Sequence, residues 1–273
     1  MTLADTAREP RLDYAMRTDA GRKREVNEDA ALAAFPCFLV ADGMGGHEAG
    51  DLASRAAIAE FERRIRPGVR STVAEVGAAL EAARVAVEAV AAGRERGAGC
   101  TLAGAVLVEE DGELLWLILN VGDSRVYLHR GAELQQVTID HSLQNEALAE
   151  GGAGEALPSR NIITRALGAA DSTADTWMLP VETGSRLLIC SDGLTTEVAD
   201  EEIRATLTMG GRPEAVVDEL VNRANRAGGR DNVTVVVVDT AAGGTAWHIA
   251  PERGGETLDD DTVTATVPRR RRT

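Results

Sequence analysis

The sequence predicts an α+β fold of four layers, in which two mainly antiparallel sheets stack and a pair of helices covers each outer face. Three observations lead to this prediction. The strand candidates are continuous apolar runs, which indicates that both faces of each strand are covered. Several links between them are too short for a parallel pair. Two pairs of amphipathic helices accompany the strands and can cover the outer faces.

The strand candidates are short runs rich in Val, Ile and Leu, at residues 37–41, 102–108, 114–121, 186–190 and 233–239. The second and third runs are separated only by residues 109–113, and residues 122–124 join the third to a further run at 125–129. A parallel pair needs a crossover of a dozen or more residues. We therefore expect these neighbouring strands to be antiparallel.

The helix candidates form an early pair, 46–66 and 71–92, and a late pair, 200–207 and 213–227. The last of these begins with Pro213, which suits the first turn of a helix, and ends before Gly228 and Gly229, which suit a helix end. A shorter helix is predicted at 142–149. The Gly-rich segment 150–158 that follows it is predicted to be a mobile flap.

Composition narrows the class of protein. Hydrophobic residues make up 44% of the 273 residues and aromatic residues only 3%, so a sizeable core must be largely aliphatic. The net charge of −15 argues against partners that need a positive field, namely nucleic acid and anionic membrane surfaces. No signal peptide and no membrane-spanning apolar run is evident, so we expect a cytoplasmic protein. Cys37, Cys100 and Cys190 form no Cys-x-x-Cys pair and are expected to be reduced, buried packing residues.

The expected organisation is a flexible N-terminus at 1–10, one folded domain at 11–240 and a disordered tail at 241–273. The composition changes near residue 240 to Gly, Thr, Asp and Arg with few large apolar side chains. Thr257 and Thr262 lie in an acidic part of the tail and could be targets of a kinase. An unmodified, solubilising tail is the favoured alternative.

Four short acidic signatures recur beside glycines or strands: Asn27-Glu28-Asp29, Asp42-Gly43, Ser191-Asp192-Gly193 and Arg230-Asp231-Asn232. Strand ends would place Asp42, Asp192 and Asp231 at one edge of the sandwich, where their charges would repel one another. Hard divalent cations prefer such oxygen ligands, and a neighbouring glycine lets the backbone approach an ion closely. The sequence therefore predicts one divalent metal site.

The order of these motifs, together with Arg24, Gly122-Asp123-Ser124-Arg125 and Asp140-His141-Ser142, resembles the bacterial branch of the metal-dependent (PPM-type) serine/threonine protein phosphatases. The resemblance covers about residues 13–238. It implies an α-β-β-α sandwich. It also implies a phosphoric monoester hydrolase in which a hydroxide bridging two metals attacks phosphoserine or phosphothreonine directly, without a phosphoenzyme.

The resemblance also implies residue roles. Asp42 would bridge two Mn²⁺ or Mg²⁺ ions, the Gly43 carbonyl would bind one, and Asp192 and Asp231 would bind the other. Arg24 would hold the phosphate, because a guanidinium can bind two of its oxygens.

Four further residues would have lesser roles. Glu28 and Asp29 resemble outer-shell partners of the metal-bound waters. Asp123 matches a ligand of a third, weaker metal, and the alternative is a hairpin-turn residue between two strands. His141 is expected to be structural or capping rather than to touch substrate.

Two departures from the family pattern stand out. Met44 occupies the position at which some members carry a His after the Asp-Gly, and His47 lies three residues further on. The flap is short and rich in Gly and Ala, so substrate selection is expected to differ.

The alternative function is a non-catalytic, phosphopeptide-binding regulatory module of the same fold. Because Asp42, Asp192, Asp231 and Arg24 are all present, catalysis is favoured. The expected partners are phosphoserine and phosphothreonine proteins and a Ser/Thr kinase that shares these substrates. We expect the protein to be a monomer.

Overall fold

The computed structural model describes residues 10–45, 49–92, 94, 97–149, 151, 157–159 and 162–246. The strands are β1 Arg11–Asp19, β2 Ala30–Ala34, β3 Cys37–Ala41, β4 Gly43–Met44, β5 Gly99–Cys100, β6 Leu102–Glu110, β7 Glu113–Val121, β8 Arg125–Arg130, β9 Glu133–Gln136, β10 Asp175–Pro180, β11 Glu182–Thr183, β12 Arg186–Cys190, β13 Val233–Ala242 and β14 Thr245–Ala246. The helices are α1 Ala49–Arg64, α2 Val73–Ala91, α3 Leu143–Ala149, α4 Asp192–Thr195, α5 Asp200–Met209 and α6 Pro213–Ala227.

Two antiparallel sheets of five strands each dominate the fold. The first sheet has the strand order β1-β13-β12-β8-β9 and the second has the order β10-β7-β6-β3-β2. Two small sheets pair β4 with β5 and β11 with β14. The predicted α+β fold of two mainly antiparallel sheets is therefore confirmed.

Three apolar clusters hold the four layers together. One lies between α1, α2 and the second sheet, one lies between the two sheets, and one lies between the first sheet and α5 with α6. Strand β3 shows why the apolar runs do not alternate. Phe38 and Val40 belong to the cluster between the sheets, whereas Cys37, Leu39 and Ala41 belong to the cluster under the helices. Both faces of the strand are therefore buried, as predicted.

The core is mainly aliphatic. Of its few aromatic rings, three lie between the sheets, whereas Phe61 and Tyr127 lie under the helices. Phe38 stands edge-on to Trp116 with ring centroids 6.0 Å apart. The three cysteines are buried and free, as predicted for packing residues. In the described part of the chain, no helix combines the length and the apolar character needed to cross a membrane.

The bounds of β3, β12 and α6 match the prediction, while β1, β2, β9 and β10 were not predicted. Strand β1 carries four charged residues in its nine positions, and none of its side chains is fully buried. It is an edge strand that pairs with β13 over its whole length. Such a strand has no apolar run to identify it, because its position in the sheet depends on hydrogen bonds to a distant strand.

The predicted pairing of β7 with β8 across the link at residues 122–124 is wrong. These strands are not an antiparallel pair: β7 belongs to the second sheet and β8 to the first. A short link excludes a parallel crossover, but it also suits a corner between two stacked sheets. Gly122 makes this corner with φ +107°, and a Cβ there would lie 2.6 Å from the Thr101 side chain. Asp123 therefore lies in the link that connects the two sheets and is not a hairpin-turn residue.

The sheet also continues past the predicted domain end at residue 240. Strand β13 runs to Ala242, and β14 pairs in parallel with β11, supported by a hydrogen bond from Thr245 N–H to the Val181 carbonyl (2.9 Å). Main-chain hydrogen bonds order this segment although it lacks apolar side chains. The rest of the predicted tail, most of the predicted N-terminal segment and six of the nine residues of the predicted flap lie outside the described residues.

A buried ion pair joins strands and helices at the end of the first sheet away from Asp192. Arg186 donates from Nε and Nη2 to the two carboxylate oxygens of Asp239, at 2.5 and 2.7 Å. Its guanidinium also donates to the carbonyls of Leu207 and Gly211, at 3.2 and 2.8 Å. Arg186 therefore ties β12 and β13 to the end of α5.

Replacing Asp239 by Ala should destabilise the fold. The change leaves the buried Arg186 guanidinium without its counter-charge, so we expect the free energy of unfolding to fall by about 3 kcal/mol in urea denaturation. Glu81→Ala is the control, because it removes an exposed partner of Arg84 and should change the midpoint little. Equal losses in the two variants would contradict the role of the Arg186 network.

Candidate metal centre

Strand ends bring the predicted acidic residues to one cleft. Asp42 follows β3, Asp192 follows β12 and begins α4, and Asp231 precedes β13. The cleft has a volume of about 690 Å³, and its lining includes Arg24, Glu28, Asp42, Gly43, Asp123, Asp192 and Asp231. The structure therefore brings together all of the predicted site residues except Asp29, which lies behind the cleft wall.

The backbone of Asp42 is held by a residue that the sequence did not single out. Asp42 N–H donates to Thr101 Oγ1 (3.0 Å), and Thr101 N–H donates to the Asp42 carbonyl (2.9 Å). Thr101 Oγ1 also shares a hydrogen bond of 2.7 Å with Ser124 Oγ. Because Ser124 follows Asp123, this chain of bonds fixes the Asp42 and Asp123 corners relative to each other. No local pattern in the sequence marks Thr101 for this role.

Two glycines allow the loops around the cleft to touch. A Cβ at Gly43 would lie 2.3 Å from the Gly50 carbonyl oxygen and 2.5 Å from that of Glu28. A Cβ at Gly193 would lie 1.9 Å from the Asn232 carbonyl oxygen. Any larger residue would push these segments apart. The glycines after Asp42 and Asp192 are therefore required by packing, whatever else they do.

Asn232 holds the loop of residues 20–28 against the start of β13. Its Oδ1 accepts from Glu28 N–H (2.9 Å), and its Nδ2 donates to the carbonyls of Ala20 (3.1 Å) and Val26 (3.0 Å). Asn232 is buried, so these bonds are sheltered from water. The sequence places Asn232 in a motif, but its role in positioning a loop some two hundred residues earlier is visible only in the structure.

Arg24 extends from this loop into the cleft. Its Nη2 donates to Asp231 Oδ2 at 2.9 Å, and half of its side chain is exposed. Partial burial lowers the pKa of Arg24, but the attraction of Asp231, Glu28 and Asp42 outweighs it and the net pKa is raised. Arg24 therefore stays charged, with its guanidinium held beside the acidic residues.

Two buried carboxylate oxygens have no hydrogen-bond partner among the described residues: Glu28 Oε1, of a residue that lines the cleft, and Asp29 Oδ1, behind the cleft wall. The other oxygen of Asp29, Oδ2, accepts from Ser191 Oγ (2.8 Å) and Thr234 Oγ1 (2.7 Å). Burial raises the pKa of Asp29 to about 7 and also raises the pKa of Glu28. Unpaired buried acceptors of this kind suit partners that carry positive charge or donate hydrogen bonds.

The carboxylates of the cleft repel one another. Burial, followed by the charges of Asp29, Asp192 and Asp123, raises the pKa of Asp42 well above its usual value. Burial and the charge of Asp192 raise the pKa of Asp123 to about 7. A divalent cation would relieve this repulsion, and the donor set of carboxylate and carbonyl oxygens is the one that Mg²⁺ and Mn²⁺ prefer.

The described residues contain no group of three Asp, Glu, His or Cys side chains that are close enough together to hold a metal ion as they stand. The carboxylates line an open cleft instead. The residues present nevertheless fit a divalent metal, because they combine crowded carboxylates, the Gly43 carbonyl and unpaired buried oxygens in one place.

His141 supports the Asp123 corner from inside the protein. The Nδ1 atom of His141 accepts a hydrogen bond from Gly122 N–H (3.1 Å), and the backbone N–H of His141 donates to the Gly122 carbonyl (2.9 Å). Its Nε2 lies 3.3 Å from Asp175 Oδ2, and the residue is only 4% exposed. These contacts favour the structural role expected for His141. Met44 lines the cleft, whereas His47 lies outside the described residues.

Comparisons with known proteins agree with this geometry. Residues 18–234 match the model of the family described as protein phosphatase 2C. The serine/threonine phosphatase stp of Listeria monocytogenes is 36% identical over 246 residues, covering 82% of this chain and 94% of that protein. The crystal structure of the Mycobacterium tuberculosis serine/threonine phosphatase PstP/Ppp matches with a TM-score of 0.76 and 35% identity, covering 85% of this chain and 99% of that chain.

A second solved structure shows a relative with metal bound. The catalytic domain of the serine/threonine protein phosphatase PstP, in complex with two manganese ions, matches with a TM-score of 0.72 and 34% identity. It covers 84% of this chain and 97% of that chain. The family resemblance predicted from the acidic motifs is confirmed, and this chain belongs to the protein phosphatase 2C family.

Proposed function

We propose that this protein is a metal-dependent serine/threonine protein phosphatase that hydrolyses phosphoserine and phosphothreonine. The observation that carries the proposal is the cleft in which crowded carboxylates, several with raised pKa values, surround Arg24. A non-catalytic phosphopeptide-binding module would have no need to bear this electrostatic cost. Relatives named as serine/threonine phosphatases support the catalytic alternative.

The metal ligands we propose are Asp42, shared by two ions, with the Gly43 carbonyl on one side and Asp192 and Asp231 on the other. Mn²⁺ or Mg²⁺ fits this set, and the two manganese ions in PstP support the number. When bound, two such ions lower the pKa of a shared water and offset the charge of the phosphate. Asp123 would serve a third, weaker ion, because it faces the same cleft.

The protein's own groups orient the substrate and the ligands. Arg24 would bind two phosphate oxygens, and its contact with Asp231 keeps the guanidinium at the cleft before substrate arrives. Glu28 and Asp29 would act from the outer shell, because their unpaired oxygens can accept hydrogen bonds from ligands of the ions. Asn232 holds the loop that carries Arg24 and Glu28 next to Asp231.

The proposed substrates are proteins phosphorylated on Ser or Thr, supplied by a Ser/Thr kinase that acts in the opposite direction. We place the protein in the cytoplasm as a monomer. The three free cysteines, which are all buried, support a reducing compartment.

The proposal predicts that purified protein releases phosphate from phosphothreonine and phosphoserine peptides only when Mn²⁺ or Mg²⁺ is added. EDTA should abolish the activity. Ca²⁺ should not restore it, because its larger size and looser geometry would misplace the reacting groups. Phosphate release is measured after dialysis against chelator. Full turnover in excess chelator would rule out the metal-dependent function.

Replacing Arg24 by Ala should raise the Michaelis constant for phosphopeptides by about 10- to 150-fold, because a charge-assisted hydrogen bond to phosphate contributes about 1.5–3 kcal/mol. Turnover at saturation should fall less, since the contact is present in both the ground state and the transition state. A parallel Mn²⁺ titration checks that the loss of Asp231's partner leaves metal affinity intact. A large fall in turnover at an unchanged Michaelis constant would contradict the phosphate-binding role.

Replacing Asp192 by Asn should abolish nearly all activity yet raise or maintain the melting temperature in EDTA. The neutral amide removes one of the charges that repel Asp42 and Asp123 in the metal-free protein. Mn²⁺ should raise the melting temperature of the wild type much more than that of the variant, because bound metal stabilises the fold by mass action.

Asp218→Asn, on the exposed face of α6, is the control with the same change in net charge. It should leave activity and the Mn²⁺ response unchanged. If Asp192→Asn melts well below the wild type in EDTA, Asp192 is a structural residue and its assignment as a ligand fails.

A further inference from the structure

Lys23 is the single lysine of the chain, in which every other basic side chain of the 29 Lys and Arg residues is an arginine. It lies directly before Arg24 and lines the same cleft. Its side chain is exposed. Lys23 therefore places a mobile ammonium group at the edge of the proposed catalytic site, beside the residue proposed to bind phosphate.

The ammonium of Lys23 has no carboxylate partner within the described part of the chain. Most arginines there form ion pairs, including Arg24 with Asp231 and Arg230 with Glu197. The neighbouring Arg22 does not line the cleft, and its stem lies against Gly229. Of the three consecutive cations, Lys23 alone combines a place on the cleft with an uncommitted charge.

The backbone that carries Lys23 is held firmly. Gly21 adopts φ +80°, and a Cβ there would lie 2.3 Å from the Asp231 carbonyl oxygen. The loop is therefore packed against the segment that leads into β13. Arg22 N–H donates to the Gly229 carbonyl at 2.6 Å. A long, flexible side chain on a fixed backbone can search for an anion near the cleft without moving the site.

We propose that Lys23 is a specificity-determining residue that binds an acidic side chain next to the phosphorylated residue of the substrate. This inference rests on the proposed phosphatase function. A phosphate held by Arg24 would place the flanking residues of an extended peptide within reach of the ammonium one position away. Lys23 thus selects phosphopeptides with Asp or Glu beside the phosphorylated Ser or Thr.

The negative charge of the rest of the protein explains why a single cation at the cleft can influence which peptides bind. The protein has a net charge of −15, and Glu25 also lines the cleft, so acidic peptides meet a repulsive field elsewhere. A free cation at the cleft supplies a local attraction that neutral peptides cannot use. An exposed charge pair contributes about 0.2–1 kcal/mol, which corresponds to a preference of up to about 5-fold for one acidic residue.

The test compares two phosphothreonine peptides that differ only by Glu or Gln at the positions flanking the phosphothreonine. For the wild type in Mn²⁺, we expect kcat/KM to be about 2- to 5-fold higher for the Glu peptide at low salt. Lys23→Ala should remove this ratio, Lys23→Arg should keep it, and added NaCl should reduce it by screening. Arg66→Ala is the matched control, because Arg66 is an exposed cation after the distant end of α1, and it should leave the ratio unchanged.

Selective labelling gives a second readout that does not depend on turnover. Because Lys23 is the only lysine, an amine-selective acetylating reagent reports on this side chain, and mass spectrometry of the peptide that contains residue 23 separates its modification from any at the amino terminus. A Glu-flanked peptide with a non-hydrolysable phosphonate should protect Lys23 more than its Gln-flanked counterpart.

The outcomes separate this inference from the function on which it rests. If the wild type hydrolyses neither peptide, the proposed function fails. If it hydrolyses both peptides with a ratio that Lys23→Ala does not change, or with a higher kcat/KM for the Gln peptide, only the role of Lys23 is overturned. Equal protection of Lys23 by both phosphonate peptides would overturn it as well.

Discussion

Repulsion among buried and partly buried carboxylates is the constraint on which the rest of this structure depends. Asp42, Asp123, Asp192 and Asp231 face one cleft, and Asp29 lies buried behind it. Burial, and then their closeness, raises the pKa of Asp42 well above its usual value and that of Asp123 to about 7. An arrangement that costs stability in the absence of cations is typical of a functional site, because a structural site would be selected to avoid it.

The surrounding fold resists this repulsion through contacts of the backbone. Gly43 and Gly193 let neighbouring segments approach to distances that no side chain would allow. Thr101 and Asn232 then hold the Asp42 corner and the loop of Arg24 with hydrogen bonds. Three apolar clusters anchor the strands from which these segments extend. The strand ends therefore stay in place although their charges repel, and cations gain a preorganised set of oxygens.

The strands that could be predicted were those whose burial leaves a local pattern. Strand β3 is apolar on both faces because helices cover one face and the other sheet covers the second. Strand β1 has no such pattern, because it lies at an edge and depends on β13, which follows it by more than two hundred residues. The 122–124 link is short in either arrangement, so the sequence could not distinguish a hairpin from a corner between sheets.

The sequence by itself determined the acidic residues, their order along the chain, the family and the layered class of fold, because strand ends and glycines carry local signals. Only the tertiary structure decided which groups meet. Arg24 reaches Asp231 across a separation of 207 positions, and Thr101, between β5 and β6, supports Asp42. It also showed that Lys23 shares the cleft with Arg24 while Arg22 packs against Gly229. Contacts between distant segments depend on chain packing, and no local pattern of residues records them.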